Sequence, residues 1–219
     1  MTEASITKVE YAYESSSASC AHAYLLAPMK QLVQTLGKKG TVLDLGCGNG
    51  SLSHELSKLG FEVHGIDGSE SGIQIARKAF PQVQFLLGDV EEDLSPDPFQ
   101  AESFDVVVST EVVEHLYHPR RLIQNAFRLL KPSGHFIVST PYHGYVKNVV
   151  LALCGKLDSH FTALWDGGHI KFWSRKTLSG LLTEKGFTDL RFVGTGRVPY
   201  VWKSMILIAR KPAGGLKRK

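Results

Sequence analysis

Three aspartates around a glycine-rich run carry the first legible chemistry in this chain. In Val42-Leu43-Asp44-Leu45-Gly46-Cys47-Gly48-Asn49-Gly50, an acid stands just before G-x-G-x-G. Glycines there let the backbone approach a ligand where a Cβ would collide. Taken alone, such a run serves a dinucleotide, a nucleoside or only a tight turn. Asp44 narrows the choice, because it repels a phosphate and favours a cationic amine or sulfonium. The spacing also differs from the G-x-G-x-x-G of dinucleotide folds. Asp67 follows 21 residues after Gly46, where a carboxylate can accept both hydroxyls of a ribose. Asp89, in Leu87-Gly88-Asp89-Val90, can accept from an adenine amino group. Helix N-capping is the structural alternative for each acid, and it weighs most at Asp89. Together the three form a nucleoside cradle. Cys47, between two glycines, reads as a small filler rather than a reactive thiol.

A second constellation is Thr110-Glu111-Val112-Val113-Glu114-His115-Leu116. If this segment is helical, Glu111, Glu114 and His115 stand at i, i+3 and i+4 and share a face. Two carboxylates and an imidazole suit one divalent cation, magnesium or zinc, which would lower the pKa of a bound hydroxyl. Without metal, the histidine is an orienting group or a base.

These residues need strand ends to hold them. Short apolar runs at Thr41–Leu45, Glu62–Ile66, Val83–Leu87, Phe104–Ser109 and His135–Ser139 alternate with helical patterns at Ser51–Leu59, Ser69–Ala79 and Arg120–Leu130. Repeated β–α units of this length imply an α/β, Rossmann-like doubly wound sheet with right-handed crossovers. A helix over Ser174–Lys185 and strands around 187–193 and 203–210 complete it. Before the first strand, Ser19–Leu36 has a helical apolar face interrupted by Pro28, after an irregular stretch over 1–16. Residues 91–102 read as a loop or short helix. The expected organisation is one folding unit: a helical cap over 1–40 and a domain over 41–219 with an insertion at about 142–172.

The insertion and the adjoining Trp173 carry Tyr142, His143, Tyr145, Phe161, Trp165, His169 and Phe172. Val146, Val149, Val150, Leu153, Cys154 and Leu157 recur in it at helical spacing. It reads either as a short core helix over the sheet's end or as an apolar lid over an aromatic or lipid-like acceptor.

Composition excludes several classes. Of 219 residues, 43% are apolar and 21% charged, as in soluble globular chains. No apolar run approaches the roughly 20 residues that span a bilayer. The N-terminus lacks the basic-then-apolar pattern of a secretory signal. Net charge is +4, but the segment from Arg210 to Lys219 holds five positive charges, and the rest carries −1. A nucleic-acid partner is therefore not expected, and the tail reads as a solvated end with weak membrane-surface contact as the lesser reading. Cys20, Cys47 and Cys154 form no Cys-x-x-Cys pair, which points to a reducing cytoplasm. Nothing in the pattern sets an oligomeric state.

The successive motifs Asp44-Leu45-Gly46-Cys47-Gly48-Asn49-Gly50, Gly65-Ile66-Asp67, Gly88-Asp89-Val90, Phe104-Asp105-Val106-Val107 and Leu130-Lys131-Pro132-Ser133-Gly134 resemble those of class I S-adenosylmethionine-dependent methyltransferases. The resemblance covers roughly residues 40–210. It implies a seven-stranded, mostly parallel sheet with the last strand antiparallel, and S-adenosylmethionine as cofactor. Gly46 would touch the cofactor, Asp67 the ribose and Asp89 the adenine end, while Thr110 would lie by the methionine part. Gly48, Gly68 and Val90 join the same cofactor-binding set. The Glu-x-x-Glu-His stretch looks like both the ubiquinone-biosynthesis O-methyltransferases and the small-RNA 3′-terminal 2′-O-methyltransferases. That implies a metal held by Glu111, Glu114 and His115, with His169 of Gly167-Gly168-His169-Ile170 completing the set. Residues 1–40 do not match the tryptophan-rich opening of the ubiquinone enzymes.

The expected reaction is methyl transfer to the hydroxyl of a small aromatic or lipid-like acceptor. His115 and His143 are the candidate bases if no metal binds. Asp166 and His169 would lie near the methyl group if the insertion folds over. Methylation of RNA is disfavoured by the near-neutral body, and a nicotinamide oxidoreductase by Asp44 and the glycine spacing. A binding module that has lost catalysis stays open.

Overall fold

A computed structural model describes residues 11–17, 22–37, 39–161 and 163–214. Expectations for residues 1–10, for the helix start at 19–21, for Cys20 and for the tail at 215–219 lie outside the described residues. The chain runs α1 (His22–Leu36), β1 (Thr41–Leu45), α2 (Ser51–Ser57), β2 (Glu62–Asp67), α3 (Glu70–Ala79), β3 (Gln84–Leu87), β4 (Phe104–Thr110), α4 (Pro119–Leu129) and β5 (Leu130–Pro141). It continues with α5 (Tyr145–Leu153), α6 (Leu157–Phe161), α7 (Arg175–Glu184), β6 (Thr188–Thr195) and β7 (Ser204–Arg210).

The strands form one seven-stranded sheet in the order β3-β2-β1-β4-β5-β7-β6. All neighbours are parallel except β7, which runs antiparallel to both β5 and β6. Because side chains alternate along a strand, the central strands bury both faces. Leu43, Leu45, Val107, Phe136 and Val138 face α4 and α7, while Val42, Val106, Val108 and Ile137 face α1, α2 and α3. Strand order reverses between β1 and β4, and the carboxyl edge at such a switch point is where ligands bind in this architecture.

Three differences from the sequence reading have physical causes. Pro28 does not break α1: the Tyr24 carbonyl, which a proline nitrogen cannot serve, accepts instead from Thr195 Oγ1 at 2.7 Å. The fifth strand begins at Leu130 rather than His135, since Leu130 already pairs with Phe104 before the register shifts around Lys131–Gly134. In α5 the apolar residues face outward, with Val146 46% and Leu153 83% exposed, and the buried side chain is Lys147. The core-helix reading of the insertion is thus corrected. Among the described residues, no helix is long and apolar enough to cross a membrane.

Candidate active site

The turn after β1 is built on left-handed backbone: φ is +82° at Gly46, +52° at Gly48 and +76° at Gly50. A Cβ on Gly46 would lie 2.4 Å from Val112 Cγ2, so the turn can press against the loop after β4 only as glycine. Asp67 ends β2 and braces this turn. Its Oδ2 accepts from the Gly48 amide at 2.8 Å and its Oδ1 from the Ser69 amide at 2.8 Å. Asp44 lies on β1, in register with Gly65 of β2. It is 1% exposed and accepts from Ser53 Oγ at 2.6 Å, and burial pushes its carboxyl up to about 7. Asp89 lies just past β3 and accepts from the Glu91 amide at 2.8 Å, the turn-capping geometry weighed for it. Val90 is buried in the core, and Gly68 comes up beside Gly88. The three aspartates therefore end adjacent parallel strands at one edge. Thr110 ends β4 at the same edge, its hydroxyl oxygen buried without a hydrogen-bond partner among the described residues.

One contributor was not legible in the sequence. Residues 11–17 lie across the glycine turn as a strap. Ser69 Oγ donates to Tyr11 O at 2.7 Å, and Asn49 Nδ2 donates to Ser15 O and Ser17 O, both at 2.9 Å. The Tyr13 hydroxyl stands 2.3 Å from where a Cβ on Gly48 would lie. Burial and the neighbouring Asp67 carboxylate push the Tyr13 phenol up. The strap meets the insertion where the Tyr11 ring lies 6.1 Å from that of Trp165. Its polar, aperiodic sequence carries no signal beyond two tyrosines two residues apart.

Beyond β4, residues 111–118 form turns and no helix, and Glu111 has a φ of 54°. The shared helical face is therefore corrected. Glu111 turns to the sheet instead, its carboxylate accepting from Ser139 Oγ at 2.8 Å and Ser204 Oγ at 3.1 Å. Burial pushes it up to about 7. Glu114, His115 and His169 do converge, each offering a ligand atom within 4.8 Å of the others. Glu114 is 1% exposed, and neither carboxylate oxygen has a hydrogen-bond partner among the described residues. The Thr140 hydroxyl beside it falls outside hydrogen-bond geometry, and burial together with Glu111 holds the Glu114 carboxyl well above the usual range.

The insertion closes on this cluster by backbone contacts. Glu114 O accepts from the Ile170 and Lys171 amides, both at 3.0 Å, and His115 Nδ1 reaches Gly167 O at 3.0 Å. The His115 and His169 rings are 4.9 Å apart, with Trp165 edge-on to both. Burial lowers the pKa of His115, and burial with the neighbouring His115 lowers that of His169 to about 4. His143 packs elsewhere, among His160, Phe161 and Phe172, and Asp166 is exposed. A separate hollow lined by Leu36, Phe61, Asp105 and Lys131 lies at the opposite edge, where β1 and β4 begin.

Residues 19–191 match the family model of a methyltransferase domain. The chain belongs to that family. Among curated relatives, the methyltransferase domain is 38% identical over 113 residues to a ubiquinone biosynthesis O-methyltransferase of Coxiella burnetii, covering 51% of this chain and 48% of the relative. It is 39% identical over 159 residues to the mitochondrial ubiquinone biosynthesis O-methyltransferase of Mus musculus, covering 67% of this chain and 41% of the relative. The chain thus spans about half the length of these relatives. Among solved structures, the domain resembles a protein of Pyrococcus horikoshii OT3 at 26% identity, with a TM-score of 0.66 over 85% of this chain and 87% of that one. A SAM-dependent methyltransferase of Methanosarcina mazei matches at 24% identity and a TM-score of 0.64, over 84% and 98% of the two chains. The seven-stranded sheet with an antiparallel β7 is the methyltransferase fold expected from the motifs.

Proposed function

We propose that this chain transfers a methyl group from S-adenosylmethionine to a hydroxyl of a small aromatic or lipid-like acceptor. The observation that carries this reading is one sheet edge where the Asp44, Asp67 and Asp89 cradle adjoins the cluster of buried Glu114 with half-buried His115 and His169. The relatives named as ubiquinone biosynthesis O-methyltransferases support oxygen as the accepting atom.

The residues fit such a cofactor. Asp67 accepts the ribose hydroxyls, Asp89 and Val90 meet the adenine, and Gly46, Gly48 and Gly68 let it lie on bare backbone. Thr110, with its unpartnered hydroxyl, faces the methionine part, and Asp44 attracts the cationic end. When bound, the cofactor supplies a sulfonium-activated methyl group, so the protein need only align the acceptor in line and take its proton.

Glu114, His115 and His169 fit one divalent cation, magnesium or zinc. Two buried, unpartnered carboxylate oxygens are expensive without a positive charge. The bond from His115 Nδ1 to the Gly167 carbonyl fixes the ring and leaves Nε2 as the ligand atom. Glu111, expected as a fourth ligand, is held by two hydroxyls, so the set is three. Such a cation would lower the pKa of an acceptor hydroxyl. Without one, His115 is the base, kept neutral by its lowered pKa. Free Cys154 on the surface fits a reducing cytoplasm.

The test is transfer of radiolabelled methyl from S-adenosylmethionine to catechol, with calorimetry of S-adenosylhomocysteine beside it. Binding of the demethylated cofactor and O-methylated product are expected, and a chain that binds no S-adenosylhomocysteine sinks the reading. Chelation should abolish turnover and leave cofactor binding intact. Turnover that survives exhaustive chelation assigns proton removal to His115 and removes the cation.

A further inference from the structure

The strap over residues 11–17 is fastened on both sides of Tyr13. The Tyr13 amide donates to Ser71 Oγ at 3.1 Å, and the Ser69 hydroxyl holds the Tyr11 carbonyl before it. After it, buried Asn49 serves the Ser15 and Ser17 carbonyls from inside the glycine turn. Asn49 thereby grips a segment that lies 34 residues earlier at Ser15. The strap also precedes residues 19–191, the part of the chain that matches the methyltransferase family model. Its contacts are therefore this chain's own.

The grip seats the Tyr13 ring in a slot that glycine leaves open. A Cβ on Gly72 would lie 2.9 Å from Tyr13 Cδ2, and a Cβ on Gly48 would collide with the hydroxyl. Packing accounts for the ring and not for the hydroxyl. Among the described residues the hydroxyl makes no hydrogen bond, although a tyrosine O–H taken out of water ordinarily finds a partner. Phenylalanine would fill the same slot without an unpaired donor. The acids that act on the phenol are Asp67 and Asp44, and burial with Asp67 pushes its pKa up, so it stays protonated. A neutral O–H donor thus stands at the glycine turn, facing acids and no cation.

The acids of this edge suit the ribose and the ammonium of S-adenosylmethionine, and they repel its carboxylate. That anion needs a donor beside the turn, and a hydrogen bond to a charged acceptor is among the stronger ones. We infer that the Tyr13 hydroxyl donates to the carboxylate of the cofactor's methionine part, with Asn49 as the residue that positions the strap for it. The inference rests on the cofactor of the function proposed above and deepens it.

The full chain is titrated calorimetrically with S-adenosylhomocysteine and with decarboxylated S-adenosylhomocysteine, which keeps the nucleoside, the thioether and the amine. Tyr13→Phe retains the ring in its slot. It should weaken S-adenosylhomocysteine about tenfold, leave the decarboxylated ligand within about twofold of wild type, and keep the thermal midpoint of the free protein. Asn49→Ala keeps the phenol and loosens the strap, and it should also reduce the preference for the ligand that carries the carboxylate. Equal weakening of both ligands by Tyr13→Phe places the hydroxyl on the nucleoside and overturns the assignment, as does S-adenosylhomocysteine affinity that Tyr13→Phe leaves intact. An Asn49→Ala protein with wild-type preference overturns the positioning role. A wild-type chain that binds neither ligand sinks the proposed function and this contact with it. One that binds both and is indifferent to Tyr13→Phe sinks this contact alone.

Discussion

At the scale of single residues, the aspartates separate binding from bracing. Asp67 already holds two backbone amides, and the proposed ribose contacts add charge-assisted bonds worth roughly 1.5–3 kcal/mol each. Asp67→Ala should weaken S-adenosylhomocysteine binding about tenfold or more by calorimetry. An unchanged dissociation constant removes Asp67 from the cofactor. Asp44 adds a pH signature. Its carboxyl, raised to about 7 in the free protein, carries stability present below its unfolded pKa and lost as pH rises through 7. A cationic ligand binds its ionised form, so S-adenosylmethionine affinity should rise by up to about tenfold per pH unit below 7 and level off above. Asp44→Asn should flatten that dependence, and a mutant profile as steep as the wild type refutes the role. These acids were legible because each stands at or just past the end of a short apolar, β-rich run. Glu111, Glu114 and His115 were read on a helical period that the chain lacks there. Glu114 and His115 still meet His169, but through a loop closure that spacing cannot encode.

At the scale of elements, alternation of apolar runs with helical patterns revealed the sheet, since strands buried on both faces leave a near-continuous apolar signature. The face of α5 stays open between core and lid in the sequence, because helical spacing shows that a stripe exists and not what it faces. Pro28 was misread for a related reason: the missing donor is made good from β6, far along the chain. Thr195 Oγ1 serves the Tyr24 carbonyl that Pro28 leaves bare. Thr195→Val should therefore cost about 1 kcal/mol of stability, the loss of a hydrogen bond to a half-buried carbonyl. In a Pro28→Ala background the helix amide returns, and the same substitution should cost less. Equal losses of thermal midpoint in both backgrounds would separate the hydroxyl from the proline.

Across the whole molecule, cohesion is uneven, and the proposed chemistry sits on its weaker part. The sheet buries β1, β4 and β5 between two helical layers, whereas α5 leaves Val146, Val149, Val150 and Leu153 exposed to solvent. Among the described residues, the insertion is fastened at identifiable points. The Glu114 carbonyl takes the Ile170 and Lys171 amides, His115 meets the Gly167 carbonyl, and Trp173 Nε1 donates to Val113 O at 3.4 Å. Segments with few buried apolar contacts open at lower free energy than the core. Amides of residues 145–161 should therefore exchange with solvent sub-globally, faster than those of β4 and β5. A cation shared by Glu114, His115 and His169 would fasten the insertion's far end to the loop after β4, because a ligand that binds only the closed form stabilises it. Added zinc or magnesium should then slow exchange at residues 112–116 and 167–171 and leave the sheet unchanged. If the cation slows exchange nowhere, the three side chains do not share it. If it slows exchange equally in β4 and β5, the insertion and the sheet open as one unit, and lid closure is not a separate step.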